Sequence, residues 1–193
     1  MHKAMATPRG VITDANDVTG VLQFTKQLDP NRVLLNGLLP FLVAAIEHFF
    51  RECFEILLKY DDGARAILEN QNRKISFAEA SALTRNQLTI ERIASDWYSF
   101  QNLDSVQKAF KEVFGIDVWK AIRRRKKIGK RMPILSDALK NLIGARHGVV
   151  HHFTLDRSLD RNEFIALLHL VRALIEIMGE EFERKLGVEL GPG

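Results

Sequence analysis

The string Ala145-Arg146-His147-Gly148-Val149-Val150-His151-His152-Phe153 sets one arginine and three histidines at the end of an otherwise apolar segment. An imidazole titrates near neutral pH and can take or give a proton, whereas a guanidinium stays charged and can hold two phosphate oxygens at once. These are the groups needed to cut RNA without a metal. The RNA's own 2′-hydroxyl attacks the adjacent phosphate, a base takes its proton, an acid protonates the leaving oxygen, and a cation meets the developing charge.

The same residues admit two other readings. His147 and His151 are four apart, on nearly one helical face, which is the spacing of a two-histidine metal pair; Asp156 is the nearest candidate for a third ligand, but no Glu follows His147 as in a zinc-protease helix. Neither a metal nor another cofactor is therefore expected. In the structural reading, Arg146 pairs with a carboxylate such as Glu47 or Glu55, and the histidines sit at a helix C-terminus where positive charge is favoured.

The elements that must position this string read as helices. Asp29-Pro30 is a helix start. From there Leu35, Leu38, Leu42, Ala45, Ile46, Phe49, Phe50, Phe54 and Leu57 recur at three- and four-residue spacing to about Tyr60, with Pro40 expected to kink the helix or mark its true start. A short helical piece covers 64–69. Ser76 with Glu79 has the spacing of a capping box that opens a second main helix to about Tyr98. A third, 105–114, stops at Gly115, and 116–122 adds a turn or two. A fourth begins after Pro133 and carries the His-rich string. The last is capped by Ser158 or Asp160 and buries Phe164, Leu167, Leu168, Val171, Leu174, Ile175 and Met178.

That pattern predicts an all-α protein, an antiparallel bundle of four to five main helices. Its 193 residues, 46% of them hydrophobic, suit one domain, here 19–186, after a loose lead-in over 1–18 and before a frayed tail over 187–193. The longest apolar run, 38–46, is about half the length that crosses a bilayer, so no membrane contact is expected. Residues 1–14 lack the apolar core of a signal peptide, and Cys53 is the single cysteine, read as a small apolar residue; both agree with a cytoplasmic location. Trp97, Tyr98, Phe100 and Trp119 read as core or interface, and His48 and His169 as core or boundary residues. The chain carries no Gly-rich phosphate loop, nucleophile elbow or dinucleotide fingerprint, which speaks against phosphotransfer and hydride chemistry.

The string from Arg146 to His151 resembles the Arg-x4-His signature of the HEPN superfamily, in which a polar residue, here His147, often follows the arginine. Its place on a late helix of a helical bundle is similar too. The resemblance implies a homodimer whose two motifs face each other across a cleft and cut RNA, with His151 as the main acid or base, Arg146 as phosphate clamp and His147 as an orienting or second titrating group. It also implies a toxin-like or antiviral role, or else a catalytically silent module that binds RNA or a partner such as a nucleotidyltransferase-type antitoxin.

A net charge of +4 is modest, but seven of the nine residues from Arg123 to Arg131 are basic. Arg123, Arg124, Arg125, Lys126, Lys127, Lys130 and Arg131 are expected to be exposed and to grip an RNA backbone. No aromatic is interleaved with them to stack a base.

Overall fold

In the computed structural model, which describes residues 29–124, 133–152 and 154–187, Asp29 starts the first long helix by accepting from the Asn31 N–H at 3.0 Å. Pro30 follows, where a missing N–H costs nothing. The expected lead-in, the part of the basic run from Arg125 on, Phe153 and the end of the tail lie outside the described residues.

Helix α1 spans Pro30–Tyr60 and runs unbroken through Pro40. The proline withdraws one backbone bond, to the carbonyl four residues back, without ending the helix. Leu39, Val43, Ile46, Phe50, Phe54 and Leu57 form its buried stripe. By length and composition alone α1 is long and apolar enough to cross a membrane. Here it is the central helix of the bundle.

After Asp61 come α2 (Asp62–Glu69), α3 (Phe77–Thr84) and α4 (Ile90–Asp96). The expected capping box is formed: the Ser76 N–H donates to Glu79 Oε2 at 2.6 Å, and the Glu79 N–H to Ser76 Oγ at 3.2 Å. The helix it opens does not reach Tyr98. It ends at Thr84, because Asn86 takes a left-handed conformation, φ 56°, which a short polar side chain tolerates. A new cap follows: Thr89 Oγ1 accepts from the Arg92 N–H at 3.2 Å.

Next are α5 (Leu103–Phe114), α6 (Val118–Ile122), α7 (Leu135–His152) and α8 (Arg161–Leu186). The chain is all-helical among the described residues. Gly115 stops α5 at φ 69°, a conformation that a Cβ would strain. Asp160, not Ser158, caps α8 by accepting from the Glu163 N–H at 2.9 Å.

Helix α1 packs against α2, α4, α5, α7 and α8, while α6 and α7 also pack on α8. Phe110 of α5 is fully buried, with ring centroids of Phe50, Phe54, Phe114 and Phe182 within 6.0 Å. Phe100 joins this cluster, and Trp97, Tyr98 and Trp119 pack against the core partly buried. Cys53 is also half-buried there, and burial pushes its thiol up to about 12, helped by the charge on Glu52. A thiol held that high is a poor nucleophile.

Polar ties fix α4 on α1. Arg92 donates to Glu55 at 3.1 Å, Ser95 Oγ to the same carboxylate oxygen at 2.7 Å, and Arg51 pairs with Asp96. Glu55 is thus spoken for by α4 and is not the partner of Arg146.

The buried Asn36 ties the start of α1 to the loop after α7. Its Nδ2 donates to the Asp156 carbonyl at 3.0 Å and to that of Arg32 at 2.9 Å, and its Oδ1 accepts from the Asp156 N–H at 2.7 Å. The α7 C-terminus therefore lies at the α1 N-terminus, and the two helices run antiparallel. Replacing Asn36 with Ala leaves buried backbone groups without partners, with an expected loss of about 1–3 kcal/mol in urea unfolding. A loss below a few tenths of a kcal/mol would mean that the anchor carries no weight.

Candidate active site

Leu135, Leu139 and Leu142 bury the first half of α7 against α1, and Ile143, Ala145 and Val149 pack beside them. This leaves the histidines outside. His147, His151 and His152 are all exposed, with ring centroids 4.5 Å apart for His147 and His151 and 5.4 Å for His147 and His152. After His152 the chain folds back, and the Thr154 N–H donates to the Gly148 carbonyl at 3.0 Å. The cluster therefore stands on the last turn of a helix whose exit is tied down at Asp156.

Arg146 is half-buried, and its Nε is buried with no hydrogen-bond partner among the described residues. Glu47 Oε1 is likewise buried without a hydrogen-bond partner, yet no ion pair joins the two residues. A buried guanidinium N–H left unpaired is costly, so Arg146 is held with unmet capacity for an acceptor.

Because α7 is continuous to His152, the angular offset along it is fixed. His147 and His151 lie about 40° apart around the axis, and Arg146 and His151 about 140° apart. The same 140° separates His147 from His152, whose rings still meet at 5.4 Å, so one copy of the chain gathers the three histidines and the offset alone does not part Arg146 from His151.

Asp156, the candidate third ligand of the metal reading, is tied into its own turn. Asp156 Oδ1 accepts from the Ser158 hydroxyl at 2.6 Å and from the Ser158 N–H at 2.8 Å, which holds its carboxyl below the usual range. Among the described residues no three His, Cys, Asp or Glu side chains group as metal ligands would.

Two members of the basic run are described. The Arg123 guanidinium lies over the Trp119 ring, 5.6 Å from its centroid, whereas Arg124 donates to the buried Glu181 at 3.1 Å. Glu181 also binds Arg184. An aromatic thus adjoins the run after all, brought there by α6. His48 and His169 are exposed, not core: they face away from the apolar stripes, and His48 sits 3.6 Å from Glu52.

A cleft of about 250 Å³ opens among Glu47, His48, Arg51, Arg92, Phe100 and Gln101. Its arginines are committed to Asp96 and Glu55, and His48 to Glu52. Asn36 is the positioning residue that sequence reasoning missed. Its only signal was a polar side chain on an apolar stripe, and its partner is 120 residues away.

A bundle of this kind, with an arginine and a histidine five apart at the end of its penultimate helix, is that of a HEPN domain. The family model described as RiboL-PSP-HEPN matches residues 14–184, and the chain belongs to that family. No curated protein and no solved structure matches the chain.

Proposed function

We propose that the chain is a metal-independent endoribonuclease, cutting RNA by 2′-hydroxyl attack in a cleft shared by two copies. Membership of a HEPN family points to a nuclease or RNA-related role. The observation that carries the finer reading is the exposed cluster on α7, where the rings of His147 and His151 lie 4.5 Å apart and the Nε of the neighbouring Arg146 is left without a partner among the described residues. A second copy related by a twofold axis adds a second His151 to complete the acid/base pair and a second Arg146 to clamp the phosphate. His147, against His151, orients it or shares its proton.

Exposed apolar side chains suited to pairing adjoin the motif helix. Val150 is on α7 itself, and Ile165, Leu168 and Ile175 are on α8, which packs against it; Leu168 and Ile175 are exposed, not on the buried face that their spacing suggested. We place the chain in the cytoplasm, acting as a toxin-like or antiviral effector whose activity a partner protein restrains.

Mixing wild type with His151→Ala tests the shared cleft. After subunits exchange at equal amounts and constant total protein, a cleft that needs both His151 residues leaves activity only in wild-type pairs, about one quarter of the starting rate. Independent sites would leave about one half and overturn the composite arrangement.

A further inference from the structure

Two cations meet on one indole at the start of the basic run. Lys140 Nζ of α7 lies 4.6 Å from the centroid of Trp119, and the Arg123 guanidinium lies 5.6 Å from it. Neither has a carboxylate partner among the described residues, in contrast to Arg124, which Glu181 takes up. An aromatic face steadies such cations without neutralising them, so their charge remains available to an anion.

This patch and the histidine cluster stand at opposite ends of α7. The Leu135 N–H donates to the Arg124 carbonyl at 3.1 Å, which seats Arg124 at the first turn, about 24 Å along the axis from His151. No mononucleotide touches both. A strand does.

The surface between them is open. Lys140, Gly144, His147 and His151 are all exposed and fall within about 60° around the helix, along about 16 Å of its axis. A Cβ on Gly144 would meet no atom within 4 Å. Asp137, one turn before Lys140, begins the stripe and receives the Ser136 hydroxyl at 3.3 Å.

We propose that this stripe is a track for single-stranded RNA, with Lys140 and Arg123 on Trp119 holding backbone phosphates while the strand runs past Gly144 to the histidines. It rests on the reading of those histidines as the cleavage centre. It adds a binding site and a substrate class: a strand several nucleotides long, held at a distance from the cut.

The test is binding and cleavage of a single-stranded RNA of about 12 nucleotides, within the usual site size for such surfaces, by the full chain. Lys140→Ala is expected to weaken binding several-fold and to reduce the slope of log affinity against log salt by about 0.7. Gly144→Glu adds a negative charge to the track and a better helix former to α7. It is expected to lower affinity about tenfold with no loss of melting temperature. Wild-type affinity in both variants overturns the track, and so does a Gly144→Glu chain that falls from dimer to monomer, which would assign the stripe to the interface between copies. A chain that binds through Lys140 but does not cut retires the ribonuclease reading and keeps the track. A chain that cuts with no dependence on Lys140 does the reverse, and one that binds no RNA overturns both.

Discussion

His151→Ala and Arg146→Ala are each expected to lower the rate of RNA cleavage by about 10²- to 10⁴-fold, the usual loss when a positioned acid/base group or its charge partner is removed. Neither change should unfold the protein. His151 is exposed, with His147 as its ring neighbour, and the Arg146 Nε has no partner to lose. Melting temperature therefore separates a chemical defect from a structural one: near wild type for both variants if the assignment holds, sharply lower for Arg146→Ala if the arginine is a structural strut. His147→Ala should fall between these variants and wild type. If His147 and His151 instead held a metal, their removal would cost equally and a chelator would reproduce the loss.

The second large effect is on stability. Phe110 is wholly buried at the meeting point of α1, α5 and α8, edge-on to Phe50 and Phe54 and stacked on Phe182 at 5.6 Å. Truncation to Ala removes a large apolar surface and leaves a cavity lined by other aromatic rings that cannot collapse freely. The expected cost is about 3–5 kcal/mol, a large share of the roughly 5–15 kcal/mol that holds a domain folded. In a chain of this size the melting temperature should fall by roughly 10 °C or more. A drop of only a degree or two would mean that the aromatic cluster is not the keystone of the core. Phe77, 90% exposed on α3, is the natural control, since its truncation should change almost nothing.

How far the sequence carried the fold depended on how local the decisive chemistry was. Asp29 with Pro30, Ser76 with Glu79, Gly115, and Asp160 with Glu163 each signal a helix end through neighbours within three residues, and each end formed where its chemistry pointed. The break at Asn86 was not legible, because nothing adjacent to it demands a stop. Asparagine tolerates a left-handed backbone without requiring it, and α4 must turn to reach α1 through Arg92 and Ser95. Pro40 does not mark the start of its helix: one withdrawn backbone bond is outweighed by the apolar stripe on both sides of it.

The site was legible as a set of residues but not as a geometry. An arginine and three histidines at a helix end can be read from the letters. That the rings of His147, His151 and His152 gather there, with the exit of α7 tied back by Thr154 and Asn36, cannot. The basic run illustrates the same limit. Its charges are countable, but Glu181 and Trp119, which divide Arg124 from Arg123, arrive from elsewhere in the chain.

The most direct test of the central claim is cleavage of total RNA by the purified wild-type protein, Arg146→Ala and His151→Ala, each with excess chelator. The account predicts cutting by wild type alone, leaving 2′,3′-cyclic phosphate ends. Equal cutting by all three proteins, or wild-type cutting that stops when chelator is added, would contradict it.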